Sequence, residues 1–304
     1  MGSHLVDTLA DAGHAVYGTY YGSVNLVDEI KHKSNIVQCN VGNFPIIRKL
    51  ISDVKPDQIY HLAAQSFPKK SWDDPWDTIK TNIIGTANVF EAVKELKSKC
   101  RILVAGSSAQ YGFVDAKDVP VKETHDMKPL HPYGVSKLAQ EGLTYQYHAN
   151  FGIDGFTMRI FNTTGPRKIG DVCADFTKQL AAIELGLQEP VIKVGNLETK
   201  RAITDVRDEI RGFILAMQHC KGGEAYNISG STAYEIKDIL NMALSFCKAR
   251  PSVVVDPALL RPTDETIIFG DSTKFRQVTS WQPEIPLKKT IEDMLNYWRT
   301  KLSK

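Results

Sequence analysis

Apolar positions in the first half of the chain alternate between helical and strand spacing. Leu5, Val6, Leu9 and Ala10 recur with helical period and stop at Gly13, a C-terminal cap. Ala15-Val16-Tyr17 starts a short apolar strand, and Ile36-Val37 starts another. Ile46 to Val54 is helical by spacing, and Gln58-Ile59-Tyr60-His61-Leu62 is the next strand. Ile83 to Leu96 reads as an amphipathic helix, and Arg101-Ile-Leu-Val-Ala105 as a buried strand. Short apolar strands separated by helices form parallel sheets with crossover helices, so the predicted fold class is α/β with a doubly wound parallel sheet.

After Ile160 the rhythm changes. Pro166, Pro190, Pro251, Pro257, Pro262, Pro283 and Pro286 punctuate shorter elements. Helices are predicted at Asp171–Leu187, Val206–Cys220 and Tyr234–Cys247, with strands at Val191–Val194 and Ala225–Ile228. The pattern divides the chain into a dinucleotide-binding domain over 1–160 and a smaller mixed α/β lobe over 161–304, with some chain crossing back. Such a lobe covers the carboxyl ends of the parallel strands, where ligands bind in open α/β sheets.

The opening Met1-Gly2-Ser3-His4-Leu5 is immediately helical. A dinucleotide-binding domain ordinarily opens with a strand and a Gly-rich turn ahead of that helix. Gly2 reads as the last glycine of such a turn, with the first strand missing and the sheet expected to lack its middle. Gly-Ser-His also reads as the remnant of an expression tag.

Composition narrows the function classes. The 304 residues, 42% hydrophobic and 24% charged, suit a soluble globular protein. A net charge of +2 argues against a nucleic-acid surface built on bulk positive charge. The five cysteines are scattered without metal-ligand spacing, so reduced thiols in a cytoplasmic protein are expected, with no metal site. No apolar run approaches the ~18 residues that span a membrane.

The run His131-Pro-Tyr-Gly-Val-Ser-Lys137 carries the strongest chemical signal. Tyr133 and Lys137 fall one helical turn apart on a single face. An ammonium so placed is expected to lower the phenol pKa toward working pH, and a phenol so tuned can exchange a proton with a sugar hydroxyl while hydride moves at the same carbon. Other segments surround that pair: His61-Leu-Ala-Ala64, Asn82-Ile-Ile-Gly-Thr86 and Gly106-Ser-Ser-Ala-Gln-Tyr-Gly112.

Together these segments resemble the extended short-chain dehydrogenase/reductase family, in its nucleotide-sugar branch, and the resemblance covers nearly the whole chain. It implies a Rossmann-like fold with Ser107, Tyr133 and Lys137 as catalytic residues. Tyr133 would act as general acid, Lys137 would also bind the nicotinamide ribose, and Ser107 would hold the substrate oxygen. Gly2, Leu62, Ala63, Ala64 and Asn82 would line the cofactor with Tyr133 and Lys137. Gly18-Thr19-Tyr20-Tyr21 has no acid to repel a 2′-phosphate, which favours NADP over NAD.

The second half is similar to the GDP-sugar enzymes of that branch through Arg159-Ile-Phe-Asn-Thr-Thr-Gly-Pro166, Thr204-Asp-Val-Arg-Asp208 and Leu260-Arg-Pro262. The resemblance implies Ser108, Asn162, Lys178, Asn196, Arg201 and Arg261 as substrate-binding residues for a GDP-linked sugar, and a homodimer. Ala202 stands where an Asp often follows the phosphate-binding Arg, and Cys39-Asn40 where an Asp often contacts adenine.

One position separates the reactions. Dehydration needs an extra acid/base, which relatives supply as a Glu at the position of Ala109. A methyl group moves no proton, and the amide of neighbouring Gln110 is a poor carrier. The expected reaction is therefore NAD(P)H-dependent reduction of the 4-keto group of a GDP-6-deoxyhexose, GDP-4-dehydro-6-deoxy-D-mannose to GDP-D-rhamnose. The alternatives are 4,6-dehydration or 4-epimerisation with a recycled nicotinamide, and a non-catalytic nucleotide-sugar-binding relic.

Overall fold

The first helix, α1 (Gly2–Asp11), leads into two short parallel strands, β1 (Gly18–Tyr20) and β2 (Ile36–Gln38). The computed structural model describes residues 1–22, 27–260 and 265–303. The first strand forms three residues beyond the apolar Ala15-Val16-Tyr17. Pairing rather than apolarity sets its place: Gly18 aligns with Ile36, and a Cβ on Gly18 would sit 2.5 Å from Ile36 Cδ1.

Helix α2 (Phe44–Val54) starts where the Asn43 side chain accepts the Ile46 N–H and Pro45 occupies the first turn. Then follow β3 (Gln58–His61), α3 (Pro68–Asp73) and α4 (Pro75–Thr78). The predicted helix over 83–96 is α5 (Gly85–Glu95), entered through a π-helical segment, Ile79–Ile84. Strand β4 (Arg101–Ala105), helix α6 (Pro132–Phe151) and strand β5 (Gly155–Ile160) complete the first half.

The second half runs β6 (Asn162–Thr164), α7 (Val172–Glu184), β7 (Val191–Val194), β8 (Lys200–Asp205), α8 (Val206–His219) and β9 (Ala225–Ile228). It ends with β10 (Ala233–Glu235), α9 (Ile236–Phe246), β11 (Ser252–Val255), β12 (Ile267–Ile268), α10 (Thr273–Thr279) and α11 (Leu287–Leu302).

The main sheet has the order β3-β4-β5-β9, every pair parallel, with β9 alongside β5. The β1–β2 pair forms a separate sheet, and no described strand joins it to β3. Apolar side chains cover both faces, as a doubly wound sheet requires. On one face α1 and α8 bury Leu5, Ile210 and Phe213 against Leu103, Phe156 and Met158. On the other, α2, α5 and α6 bury Ile47, Ile51, Phe90 and Tyr147 against Ile102 and Val104. A second core gathers α7, α9 and α11 beside β7 and β8, around Leu180, Ile239, Ile291 and Met294. No described helix is long and apolar enough to cross a membrane.

Candidate active site

Strand β4 is buried from Ile102 onward and delivers the turn Gly106–Gln110 at its carboxyl end. A short 3-10 turn over Ser108–Gln110 is closed by Ser107, whose Oγ accepts the Ala109 N–H at 3.2 Å. Helix α6 lies against this turn. The approach needs glycine at 134, where a Cβ would lie 2.5 Å from the Ala109 carbonyl oxygen. His131 Nδ1 accepts the Gly134 N–H at 3.0 Å and starts the helix.

This packing brings Ser107, Tyr133 and Lys137 together. Lys137 is 2% exposed, and its ammonium donates to the Ala105 carbonyl oxygen at 2.7 Å. The same nitrogen lies 5.7 Å from the centroid of the Tyr133 ring. Burial lowers the Lys137 pKa to about 7. The expected lowering of the Tyr133 pKa is not found. Burial pushes the phenol above its ordinary value, and the hydrogen bond with Ser107 draws it only partly back. The low-dielectric site favours the neutral phenol, which suits a proton donor better than a base.

Asn82, fully buried, ties the loop after β3 to α6. It accepts the Gln65 N–H at 2.8 Å, and its Nδ2 donates to Gln65 O at 3.0 Å and Ser136 Oγ at 2.8 Å. It therefore positions that loop rather than offering a free amide. Leu62, Ala63 and Ala64 are half-buried at the end of β3. Gly2 is exposed at the start of α1, with no atom within 4 Å of a would-be Cβ and no side chain capping the helix.

Residues 1–294 match the protein family described as GDP-mannose 4,6 dehydratase. The chain belongs to the GDP-mannose 4,6-dehydratase family. A GDP-6-deoxy-D-mannose reductase from Pseudomonas aeruginosa is 29% identical over 81% of this chain and 82% of its own length. Among solved structures, RMD from Pseudomonas aeruginosa complexed with NADPH superposes with a TM-score of 0.83 at 24% identity, covering 94% of this chain and all of that one. UDP-glucuronic acid 4-epimerase from Bacillus cereus, in complex with UDP-glucuronic acid and NAD, gives a TM-score of 0.85 at 26% identity over 99% and 96% of the two chains.

In this member of the GDP-mannose 4,6-dehydratase family the residues expected to hold substrate do not all converge. Asn162 and Arg201 stand on neighbouring strands, since Asn162 of β6 aligns with Ile203 of β8. Arg201 is buried, and its Nη1 donates to the carbonyls of Lys200 at 2.9 Å and Glu265 at 2.8 Å. Asn196 folds onto its own loop, accepting the Glu198 N–H at 2.9 Å. Lys178 is set apart: its ammonium lies over the Trp298 ring of α11, 5.4 Å from the centroid, because α7 turns that residue away from its buried face. Ser108 is half-buried in the turn beside Ser107. Arg261 lies outside the described residues.

Sequence reasoning missed the polar network behind the site. Thr86 Oγ1 donates to Asn82 O at 2.6 Å, which leaves its lone pairs for Gln140 Nε2 at 2.6 Å and His61 Nε2 at 2.9 Å. Burial, aided by the Lys137 charge, lowers the His61 pKa to about 3, so this imidazole stays neutral. The i, i+3 and i, i+4 spacing of Lys137, Gln140 and Glu141 on a helix was the available signal.

Proposed function

We propose that this protein reduces the 4-keto group of a GDP-linked 6-deoxyhexose with NADPH, or with NADH as the less favoured donor. The observation that carries this reading is the Ser107–Tyr133–Lys137 cluster with a protonated phenol and no acid at position 109. The Ala109 side chain is a methyl, and Gln110 is fully buried with its amide committed elsewhere. The carboxylates of the adjoining network are also engaged: Glu141 binds Arg159, and Glu123 accepts the Asn227 N–H. Reduction needs one hydride and one proton, and the site has the second.

The nicotinamide group fits what stands here. An ammonium has three donors, and among the described residues Lys137 gives one to Ala105 O. The other two suit ribose hydroxyls. The uncapped start of α1 at Gly2 suits a phosphate. A nicotinamide held there would supply hydride to the sugar carbon. Tyr133 gives its proton to the ketone oxygen as the carbon becomes tetrahedral. Ser107, whose Oγ accepts from Ala109 and which hydrogen-bonds the Tyr133 phenol, turns its O–H to the ketone oxygen as substrate enters and so aligns it. Asn162 and Arg201 hold the diphosphate side of the substrate, where a guanidinium fork offsets the buried negative charge.

NADP is favoured because Gly18–Tyr21 ends β1 without a carboxylate. The chain works as a homodimer. Helix α6 turns Ser136, Lys137, Gln140 and Thr144 inward and leaves Val135, Gly142, Tyr145 and Ala149 exposed along its outer face. Light scattering that returns a monomer at micromolar concentration would reject that assembly.

Stoichiometry tests the reaction. A reductase consumes one NADPH for each sugar converted, whereas a dehydratase or 4-epimerase returns its nicotinamide unchanged. Product formation without NADPH loss would move the assignment to those recycling reactions.

A further inference from the structure

The catalytic helix and the serine turn meet at three rungs. Ala105 O accepts from Lys137 Nζ, Ser107 hydrogen-bonds Tyr133, and Gln110 Nε2 donates to the Glu141 carboxylate. Tyr133, Lys137 and Glu141 follow one another at four-residue steps, which sets all three on one face of α6. Only the third rung lacks a role in the chemistry proposed above.

Gln110 is fully buried and uses both ends of its amide. Its Oε1 accepts the Ser107 N–H at 2.9 Å, and its Nε2 donates to Glu141 Oε2 at 2.8 Å. Glu141 is itself fixed, its two oxygens taking Arg159 Nε at 2.8 Å and Nη2 at 2.6 Å. Arg159 donates onward to the Tyr111 hydroxyl oxygen at 2.7 Å and Glu123 O at 2.8 Å, and Tyr111 donates to Asn227 Oδ1 at 2.7 Å. Burial opposes the Arg159 charge, but Glu141 more than restores it and raises its pKa. The anchor at the far end of Gln110 is therefore a largely buried ion pair, Glu141 of α6 with Arg159 of β5, braced through Tyr111 by Asn227 of β9.

The backbone is shaped for this amide. A Cβ on Gly106 would lie 2.7 Å from Gln110 Oε1 and 2.8 Å from Thr157 Cγ2, so the strand end leaves room for the carboxamide and nothing more. Ser107 has its N–H held by Gln110 and its Oγ held by the Ala109 N–H. Its hydroxyl direction thus depends on where Gln110 sits.

We propose that Gln110 is a positioning residue, which keeps the Ser107 hydroxyl in register with Tyr133 by fastening the serine turn to Glu141 on the catalytic helix. This rests on the reductase reading for its consequence in turnover, but not for its geometry. Loss of the amide frees the turn, and a misplacement of about 1 Å at a reacting group lowers rates by roughly a hundredfold.

The test uses Gln110→Leu and the exchange pair Gln110→Glu with Glu141→Gln. In the pair, the new carboxylate accepts from Ser107 and from the new amide, whose oxygen still accepts from Arg159. Two readouts are taken: kcat and KM for NADPH, and the 13Cζ resonance of Tyr133 in tyrosine-labelled protein, assigned by its loss in Tyr133→Phe. Expected for Gln110→Leu are a kcat lowered roughly tenfold to a hundredfold, a KM for NADPH within about twofold, and a displaced Tyr133 resonance. The exchange pair recovers both readouts toward wild type. An unchanged kcat and resonance in folded Gln110→Leu would overturn the proposal, even with a lowered melting temperature. If Gln110→Leu does not fold, an exchange pair that folds without recovering the resonance overturns it equally. If the wild-type protein reduces no 4-keto nucleotide sugar, the reductase reading falls, and the resonance comparison still decides the role of Gln110.

Discussion

Replacing Lys137 with Met removes a charge that the fold holds at a cost. The amine titrates at about 7 against an ordinary 10.5. Each pH step between those values is worth about 1.4 kcal/mol, so carrying this lysine costs the fold on the order of 4 kcal/mol at pH 7. The sign follows from proton counts: between pH 7 and 10.5 the unfolded chain binds the proton that the folded chain has lost, so wild-type stability rises with pH across that window. Met fills similar volume but abandons the bond to Ala105 O, which costs about 1–2 kcal/mol. The net gain at pH 7 is on the order of 2–3 kcal/mol, a melting-temperature rise of about 3–5 °C for a chain of 304 residues. Near pH 9 the two effects cancel. Thermal melts of both proteins at pH 6, 7 and 9, with turnover measured alongside, provide the assay. A stabilised, inactive variant whose advantage vanishes toward pH 9 is expected. A variant less stable than wild type at pH 6, or an advantage independent of pH, refutes that expectation.

Glu209 gives a slope of opposite sign. Both its carboxylate oxygens are buried with no partner at hydrogen-bonding geometry among the described residues, and burial, opposed only in part by nearby Thr163, raises its pKa to about 8. The folded chain keeps this proton while the unfolded chain loses it above about 4.3, so stability falls as pH climbs toward 8. Glu209→Met is expected to melt higher than wild type at pH 8, with the difference shrinking toward pH 5; equal differences at both would contradict the buried acid. Gly106→Ala drives a methyl into Gln110 and Thr157 and is expected to cost about 1–3 kcal/mol in urea unfolding and to lower kcat. An unchanged unfolding midpoint would mean that the strand end is not tightly packed.

What could be read in the sequence was local. Short apolar runs between turns placed β3, β4, β7 and β9, and helical spacing placed α1, α2, α5, α7, α8 and α9 but not α11. The Tyr133–Lys137 pairing follows from helical spacing, and Ser107 came from the resemblance of the Gly106–Gly112 segment to the family's serine strand end. What depends on distant neighbours was not legible. The direction of the Tyr133 pKa is set by burial, which outweighs the charge one turn away. Gln110 and Glu141 are 31 positions apart, and Arg201 spends donors on Glu265, 64 positions away. Lys178 has a phosphate binder's chemistry, but the packing of α7 on α11 sets it against Trp298. The register of β1 likewise came from its pairing with β2.

The most direct test follows the hydrogen. NADPH deuterated at the transferring position is incubated with GDP-4-dehydro-6-deoxymannose and the protein, and the product is analysed by mass and NMR. One deuterium per product is expected, on sugar carbon 4, and no transfer with Tyr133→Phe. A product free of deuterium would contradict this, as would full transfer by the Phe variant.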